Sequence, residues 1–312
     1  MAGTQAAWVS TLAIHPGPVG DVLLAVPALR ALKAEGPAER LLLAAQPGVG
    51  SLVAALGTVD GALSFDGLGL QTLFVEDNDP IAIEAVRAAR RIVCWFGSRD
   101  PVFARRFRAL APGAVVASPT GDGARPVWRH LLATVQAAPE VSPGPCDPSP
   151  AARRAGRQAL LRAGWRTDTR LVLVHPGAGS LDKRWPAEGF VEVLAPLCAR
   201  ADLTIVLHEG PADVDAVAAV DSRLGRRASV VRGLSLVELA GALAQVAVYL
   251  GNDSGVSHLA AAVGVPSLIL FEERRLAWRP WSASAEVVLI DTASAVRADV
   301  VMVADRLAHL LV

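Results

Sequence analysis

Tyr249-Leu-Gly-Asn-Asp-Ser-Gly-Val-Ser-His-Leu-Ala-Ala-Ala-Val-Gly-Val-Pro-Ser-Leu-Ile-Leu-Phe271 is the stretch on which the fold is decided. The apolar run Val246 to Leu250 reads as a buried strand, and Gly251-Asn252-Asp253-Ser254-Gly255 breaks it. Val256 to Val263 reads as a short helix, stopped by Gly264 and Pro266. Ser267 to Phe271 is a second apolar strand. Strand, Gly-rich turn, helix and strand make a βαβ crossover, whose site lies at the C-terminal end of the first strand. The turn puts Asp253, Ser254 and backbone N–H groups at a helix N-terminus. Such an end attracts anions, because its first N–H groups lack partners and the helix dipole is positive there. Reading Asp253 or Ser254 as a plain N-cap accounts for one residue. It leaves unexplained a polar cluster that reaches His258 between two buried strands.

Outward from this unit, composition sets the limits. At 312 residues the chain exceeds the size at which one core keeps growing, so two domains are expected. Hydrophobic residues make up 52% and charged residues 19%, which suits a globular α/β protein and excludes disorder. Net charge is zero, so no global field draws nucleic acid or a membrane surface. The three cysteines, Cys94, Cys146 and Cys198, are odd in number and far apart, which fits a reducing compartment. No cysteine or histidine spacing suggests a metal site, and no cofactor is expected. The first residues lack a basic region, and their apolar run is broken by Pro16, Gly17, Pro18, Gly20 and Asp21. That pattern argues against a signal peptide or a membrane span. Of the 30 lysines and arginines only Lys33 and Lys183 are lysine.

In chain order, Ala7 to Ile14 reads as the first strand and His15 to Asp21 as a Gly/Pro-rich turn. Val22 to Lys33 is a helix that Pro27 kinks or restarts. Asp21 is either a charge placed for the helix dipole or a carboxylate aimed into a site at the strand's end. Arg40 to Ala45 is a strand, Val49 to Leu56 a helix, Gly61 to Phe65 a strand, Ile81 to Arg90 a helix and Arg91 to Phe96 a strand. Alternation of this kind predicts a parallel sheet with helices on both faces. Arg99, Arg105, Arg106 and Arg108 follow as a basic cluster, either a solvated face or a meeting point for an anionic acceptor. Five prolines between Ala138 and Pro150 predict an inter-domain linker at about 139–150. It separates a domain over 1–150 from one over 151–312.

The second half repeats the plan. Ala151 to Ala163 is a helix and Leu171 to His175 a buried strand. Pro176-Gly-Ala-Gly-Ser-Leu-Asp-Lys183-Arg184 follows as a Gly-rich turn, then a helix over Ala187 to Cys198. Glycines that allow close backbone approach, with Lys183 and Arg184 beside them, suit a phosphate or diphosphate. An ordinary turn is the bland alternative. A lysine in a chain that otherwise writes arginine points to a need for a compact ammonium. Leu203 to Leu207 is the next strand. Glu209 or Asp213 beyond it can take a ribose diol, with Asp213 preferred, or can simply start a helix. Val230 to Leu236 leads into a helix over Leu236 to Ala244. Glu286 to Ile290 is a last strand and Val300 to Leu311 a closing helix. Turns at 175–185, 208–213 and 251–258 share one sheet edge and together describe a nucleoside-diphosphate site. A Walker loop and a Gly-x-Gly-x-x-Gly fingerprint are both missing, which disfavours a P-loop enzyme and a dinucleotide cofactor.

Three motifs carry a family resemblance. They are Gly20-Asp21-Val-Leu-Leu-Ala-Val-Pro27-Ala-Leu-Arg-Ala-Leu-Lys33, His175-Pro-Gly-Ala-Gly-Ser-Leu-Asp-Lys183-Arg-Trp185-Pro186 and Gly251-Asn-Asp253-Ser254-Gly255-Val-Ser-His258-Leu-Ala-Ala-Ala. In order and spacing the chain resembles glycosyltransferase family 9, the ADP-heptose:lipopolysaccharide heptosyltransferases. The resemblance implies a GT-B fold, with two Rossmann-like doubly wound domains facing a central cleft and the last helix packing back on the first domain. It implies an inverting, metal-independent glycosyltransferase of lipopolysaccharide biosynthesis. The donor would be a nucleotide sugar, ADP-heptose above others, and the acceptor a lipopolysaccharide core, another glycan or a small molecule. The enzyme would be cytoplasmic, peripheral at the inner face of the membrane. Asp21 is implied as the base and Lys183 as the diphosphate cation. Gly177, Ser180, Arg184, Asp213, Leu234, Asp253, Ser254, Gly255 and His258 are implied around the donor, and Gly20, Arg105 and Arg106 around the acceptor. Two positions depart from the family pattern: His15 stands where the family often has Arg, and Glu272-Glu-Arg-Arg275 where it often has Gly-Pro-Thr. Two other readings use the same turns: a non-hydrolysing sugar-nucleotide epimerase, and a non-catalytic nucleotide-sugar-binding protein. Donor incubated alone separates them, since only an epimerase converts it.

Overall fold

A computed structural model describes residues 11–36, 39–75, 84–137 and 144–312 of the chain. The chain divides into two units, Met1–Val141 and Ser142–Val312. Each is built on one parallel sheet, whose strands are near-continuous apolar runs because helices cover both faces.

In the first unit β1 (Thr11–Ile14), α1 (Val19–Leu24), α2 (Val26–Glu35), β2 (Leu41–Ala45), α3 (Pro47–Ala55), β3 (Gly61–Ser64), α4 (Glu84–Ala88), β4 (Arg91–Cys94), α5 (Pro101–Leu110), β5 (Val115–Val116) and α6 (Val127–Thr134) follow one another. The strand order is β3-β2-β1-β4-β5. β1 runs parallel to β2 on one side and to β4 on the other, with Ile14 opposite both Ala44 and Cys94. The winding reverses between β1 and β4, which opens a crevice at their carboxyl ends. The helix expected over Val22 to Lys33 is two helices. Pro27 stands in the first turn of α2, where its missing N–H costs nothing. Of the expected strand Ala7–Ile14, Ala7 to Ser10 lie outside the described residues. So do Ile81 to Ile83 of the expected helix and 139–143 of the expected linker. Three elements of this unit, like the helix Val214–Arg223 of the second, had no counterpart in the sequence reading. One is α5, whose N-cap Asp100 accepts a hydrogen bond from Phe103 N–H at 2.8 Å and which buries Phe103, Ala104 and Phe107. The others are β5 and α6.

The second unit runs α7 (Pro150–Arg162), β6 (Arg170–His175), α8 (Ala187–Leu197), β7 (Leu203–Glu209), α9 (Val214–Arg223), β8 (Ser229–Arg232), α10 (Leu236–Leu243), β9 (Val248–Asn252), α11 (Gly255–Val263), β10 (Ser267–Phe271), β11 (Ala285–Leu289) and α12 (Arg297–Leu310). Its strand order, β11-β10-β9-β6-β7-β8, reverses between β6 and β9. There Val174 faces Leu250 and His175 faces Gly251. α8, α9 and α12 pack together, as do α7, α10 and α11. On α12, Val300, Val303 and Leu307 enter the apolar core of this second unit. α7 and α10 cross at two glycines. A Cβ on Gly156 would lie 2.0 Å from Ala242 N, and one on Gly241 1.8 Å from the Ala152 carbonyl oxygen. No helix among the described residues is long and apolar enough to cross a membrane.

Candidate functional site

β9 runs two residues further than its apolar core, so Gly251 and Asn252 are strand residues rather than part of the break. Asn252 is fully buried, and its amide fastens both ends of the Gly-rich turn after β6. Its Nδ2 donates to the Pro176 carbonyl at 2.8 Å, and its Oδ1 accepts from Trp185 N–H at 3.1 Å. Below it, the Tyr249 hydroxyl lies 2.8 Å from Ser257 Oγ, which donates to the Asn252 carbonyl at 2.5 Å. Gly251 is required here, because a Cβ would stand 2.3 Å from that tyrosine hydroxyl. The sequence reading missed Asn252 as a site residue. Its signal was an amide at the end of an otherwise apolar strand.

Ser254 is the N-cap of α11 and accepts from Ser257 N–H at 3.3 Å. The first N–H groups of a helix have no intrahelical partner, which leaves those of Gly255 and Val256 for a ligand. Asp253 does not cap. It lies 2.8 Å from the Lys183 ammonium through Oδ2, a charge contact without hydrogen-bond alignment, so that this buried oxygen carries no hydrogen bond. His258 Nε2 is 3.8 Å from Asp253 Oδ1. Burial holds the imidazole neutral and pushes its pKa down to about 4, against the pull of Asp253 and with the push of Lys183. Structure thus brings Lys183, Asp253, Ser254, Gly255 and His258 into one cluster. Ser180 is exposed on the turn and Gly177 buried within it.

Asp213 lies beneath the turn. Its carboxylate is 3.6 Å from Arg184 Nη2 and 3.7 Å from His175 Nε2. Glycines enclose it: a Cβ on Gly177 or Gly210 would come within 2.0 or 2.6 Å of its oxygens. Arg184 also donates to the Ala178 and Ala212 carbonyls, tying the two loops together. Asp213 makes no cap to α9, although it stands at the N-cap position. Asp213, preferred for the diol, is thus an enclosed carboxylate, its side chain 11% exposed against 13% for that of Glu209. Glu209, at the end of β7, pairs with Arg232 at 2.9 Å. His175 Nδ1 and His208 Nδ1 are 3.2 Å apart, so one must donate and the other accept. Burial lowers both pKa values, that of His208 to about 3. Leu234 stands in the loop between β8 and α10, next to a capping box formed by Ser235 and Glu238.

In the first unit, a pocket of about 460 Å³ opens at the β1/β4 crevice. Asp21, Phe74, Trp95, Arg99 and Thr120 are among its walls, with His15 at the end of β1. α1 starts at Val19 after the N-cap Pro18, which puts Asp21 in its first turn. Gly17 sits between the His15 and Asp21 side chains, since a Cβ there would lie 2.7 Å from His15 Cε1 and 3.4 Å from Asp21 Cβ. His15 Nδ1 accepts from Gly17 N–H at 3.2 Å, and burial pushes the ring's pKa down to about 4. The ring is neutral with its proton on Nε2. Gly20 is buried in α1. A second pocket, about 470 Å³, shares Arg99 and Thr120 and adds Arg125 and His130. Arg105 and Arg106 line neither pocket. Arg106 donates to the Val75 carbonyl.

Residues 128–302 match the family described as glycosyltransferase family 9 (heptosyltransferase). A lipopolysaccharide heptosyltransferase 3 of Escherichia coli is 30% identical over 138 residues, 43% of this chain and 40% of that protein. The match thus spans well under half of the curated relative. The structure is similar to that of the E. coli ADP-heptose lipopolysaccharide heptosyltransferase II, with a TM-score of 0.73 at 20% identity over 97% of this chain and 98% of that one. It is also similar to the E. coli heptosyltransferase WaaC with ADP, with a TM-score of 0.68 at 15% identity over 96% and 99%. These likenesses give the fold, the two-unit parallel α/β arrangement called GT-B.

Proposed function

Because the chain belongs to glycosyltransferase family 9, we propose that it transfers a sugar from a nucleoside-diphosphate donor to an acceptor hydroxyl with inversion and without a metal ion. The observation that carries this is the β6/β9 crevice. There Lys183 stands by Asp253, one residue before the N-cap of α11. An ammonium and a helix N-terminus at one switch point suit the charge that a leaving diphosphate develops. Ser254, Gly255 and His258 line the diphosphate and sugar, and Ser180 and Gly177 lie on the turn above. Asp213 or Glu209, with Asp213 preferred, offers the ribose carboxylate, near the strand end where doubly wound sites hold it. Asp213 holds the turn in place through Arg184. The Leu234 backbone meets the base.

ADP-heptose is the donor we infer, because solved neighbours are described with ADP or ADP-heptose. The acceptor belongs to the first unit. Asp21 in the β1/β4 pocket removes the proton from the acceptor hydroxyl. That oxygen attacks the anomeric carbon opposite the diphosphate, so the configuration inverts. Lys183 and the α11 N-terminus take up the charge left on the diphosphate. Arg99 lines the Asp21 pocket and Arg125 lines the neighbouring one that shares Arg99, whereas Arg105 and Arg106 line neither, so an anionic group of the acceptor is met at Arg99. A lipopolysaccharide core at the inner face of the membrane has such groups.

The test is Asp21→Asn. Loss of a general base costs ~10²–10⁴-fold in rate. Transfer falls by that amount, and the affinity for the nucleoside diphosphate, measured by calorimetry, stays within about twofold. A variant that turns over normally removes Asp21 from the mechanism.

A further inference from the structure

The segment after β10 has no part in the donor and acceptor sites proposed for this chain. Glu272-Glu-Arg-Arg275 enters a 3-10 turn, Glu273–Trp278. Its arginines do not face solvent alone. Arg274 and Arg275 both reach Asp182 Oδ2, at 3.1 and 2.6 Å. Both also meet Glu272 Oε2, at 2.7 and 3.4 Å. The buried Thr292 hydroxyl, beyond β11, lies 2.8 Å from the Asp182 carbonyl oxygen and 2.7 Å from Glu272 Oε1. Asp182 is the residue before Lys183 in the 3-10 turn Leu181–Lys183.

Sheet order gives this network its meaning. The turn leaves β6, passes the end of β9 and is fastened to the ends of β10 and β11. Lys183 meets Asp253 of the β9 turn in the middle of that span. An isolated exposed ion pair holds little, but linked charges around a buried hydroxyl act together. The arginines also neutralise the carboxylate next to Lys183, which otherwise offsets its attraction for a phosphate. Ser180 and the two arginines hold the Asp182 carboxyl below the usual carboxylate range, and Thr292 and Arg274 do the same for Glu272.

We propose that Asp182, Glu272, Arg274, Arg275 and Thr292 form a clasp that positions Lys183 for the diphosphate. They are positioning residues, acting through the turn rather than on the donor. The inference rests on the reading of Lys183 given above. A competing role, direct phosphate binding by the arginines, predicts the opposite response to one substitution. Asp182→Asn releases both arginines, so direct ligands bind phosphate as well or better, whereas a clasp fails.

The experiment measures ADP affinity by calorimetry for the whole chain, with folding checked by thermal melting. Its variants are Lys183→Ala, Asp182→Asn, Arg275→Ala, Arg275→Lys and the Asp182→Asn/Arg275→Ala pair. Contacting groups in one network are coupled, so each clasp single weakens ADP by about tenfold and the pair by no more than either single. Arg275→Lys recovers part of the loss. Donor KM rises and kcat at saturating donor falls, because a displaced Lys183 also takes up less of the charge on the leaving diphosphate. Unchanged or tighter ADP binding in Asp182→Asn, or additive losses in the pair, overturns the clasp. Should the Asp182 variants not fold, Thr292→Val replaces them, with Thr292→Ser expected to behave as wild type. If Lys183→Ala binds ADP as well as wild type, the diphosphate reading falls. If it binds poorly while the clasp variants do not, only the clasp falls.

Discussion

His15, His208 and His258 are buried without a charge, and desolvation holds their pKa values at about 4, 3 and 4. An unfolded chain takes up imidazole protons near pH ~6.5. Between that pH and about 4, the unfolded state therefore binds more protons than the folded one, and stability falls as pH falls. Each such group contributes up to about 1.4 kcal/mol per pH unit in that window. Melting temperatures should be level above roughly pH 7 and decline steadily below about pH 6.5. A level profile down to pH ~5 shows that these rings are not held neutral. Single residues differed in how far the sequence revealed them. Lys183 was legible because lysine is rare in this chain. Asn252 was not, because its two partners lie 67 and 76 residues away. Enclosure of Asp213 was equally hidden, since it depends on the missing side chains of Gly177 and Gly210.

Among the elements, the buried strands were read nearly to their ends because parallel strands are apolar runs bounded by turn residues. Boundaries moved where a polar residue still belongs to the ladder, as Asn252 does in β9. The segment from Gly97 to Ala137 shows a basic cluster but no helix or strand in its sequence, for two reasons. β5 has only two residues, too few to show a period. α5 buries Phe103, Ala104 and Phe107 under an arginine-rich face, so charge hid its apolar stripe. The α7–α10 crossing shows how far backbones depend on glycine. Gly241→Ala drives a methyl group into the Ala152 carbonyl, which parts the helices. Overpacking of this kind costs ~1–3 kcal/mol, so the variant should melt several degrees lower by calorimetry. An unchanged melting temperature means that the two helices already have slack.

Across the whole molecule, both units obey one rule: their polar side chains gather at the carboxyl ends of the two strands where the winding reverses. Alternating strands and turns made that rule visible in the sequence, while the walls of the Asp21 pocket, drawn from segments as distant as Phe74 and Thr120, were not. Arginine supplies nearly all the cations, so each unit contains a single lysine. Lys33 pairs with Asp60 in the first and Lys183 with Asp253 in the second. Their side chains are 33% and 25% exposed, so both are open to acylating reagents. The chain consequently carries its own pair of chemical reporters. Under brief treatment with an amine-acylating reagent, added ADP should shield the peptide containing Lys183 and leave that of Lys33 labelled as before. Equal labelling with and without ADP would show a nucleotide that never reaches the lysine. A single mass spectrum therefore reads occupancy in one half of the molecule against an internal standard in the other.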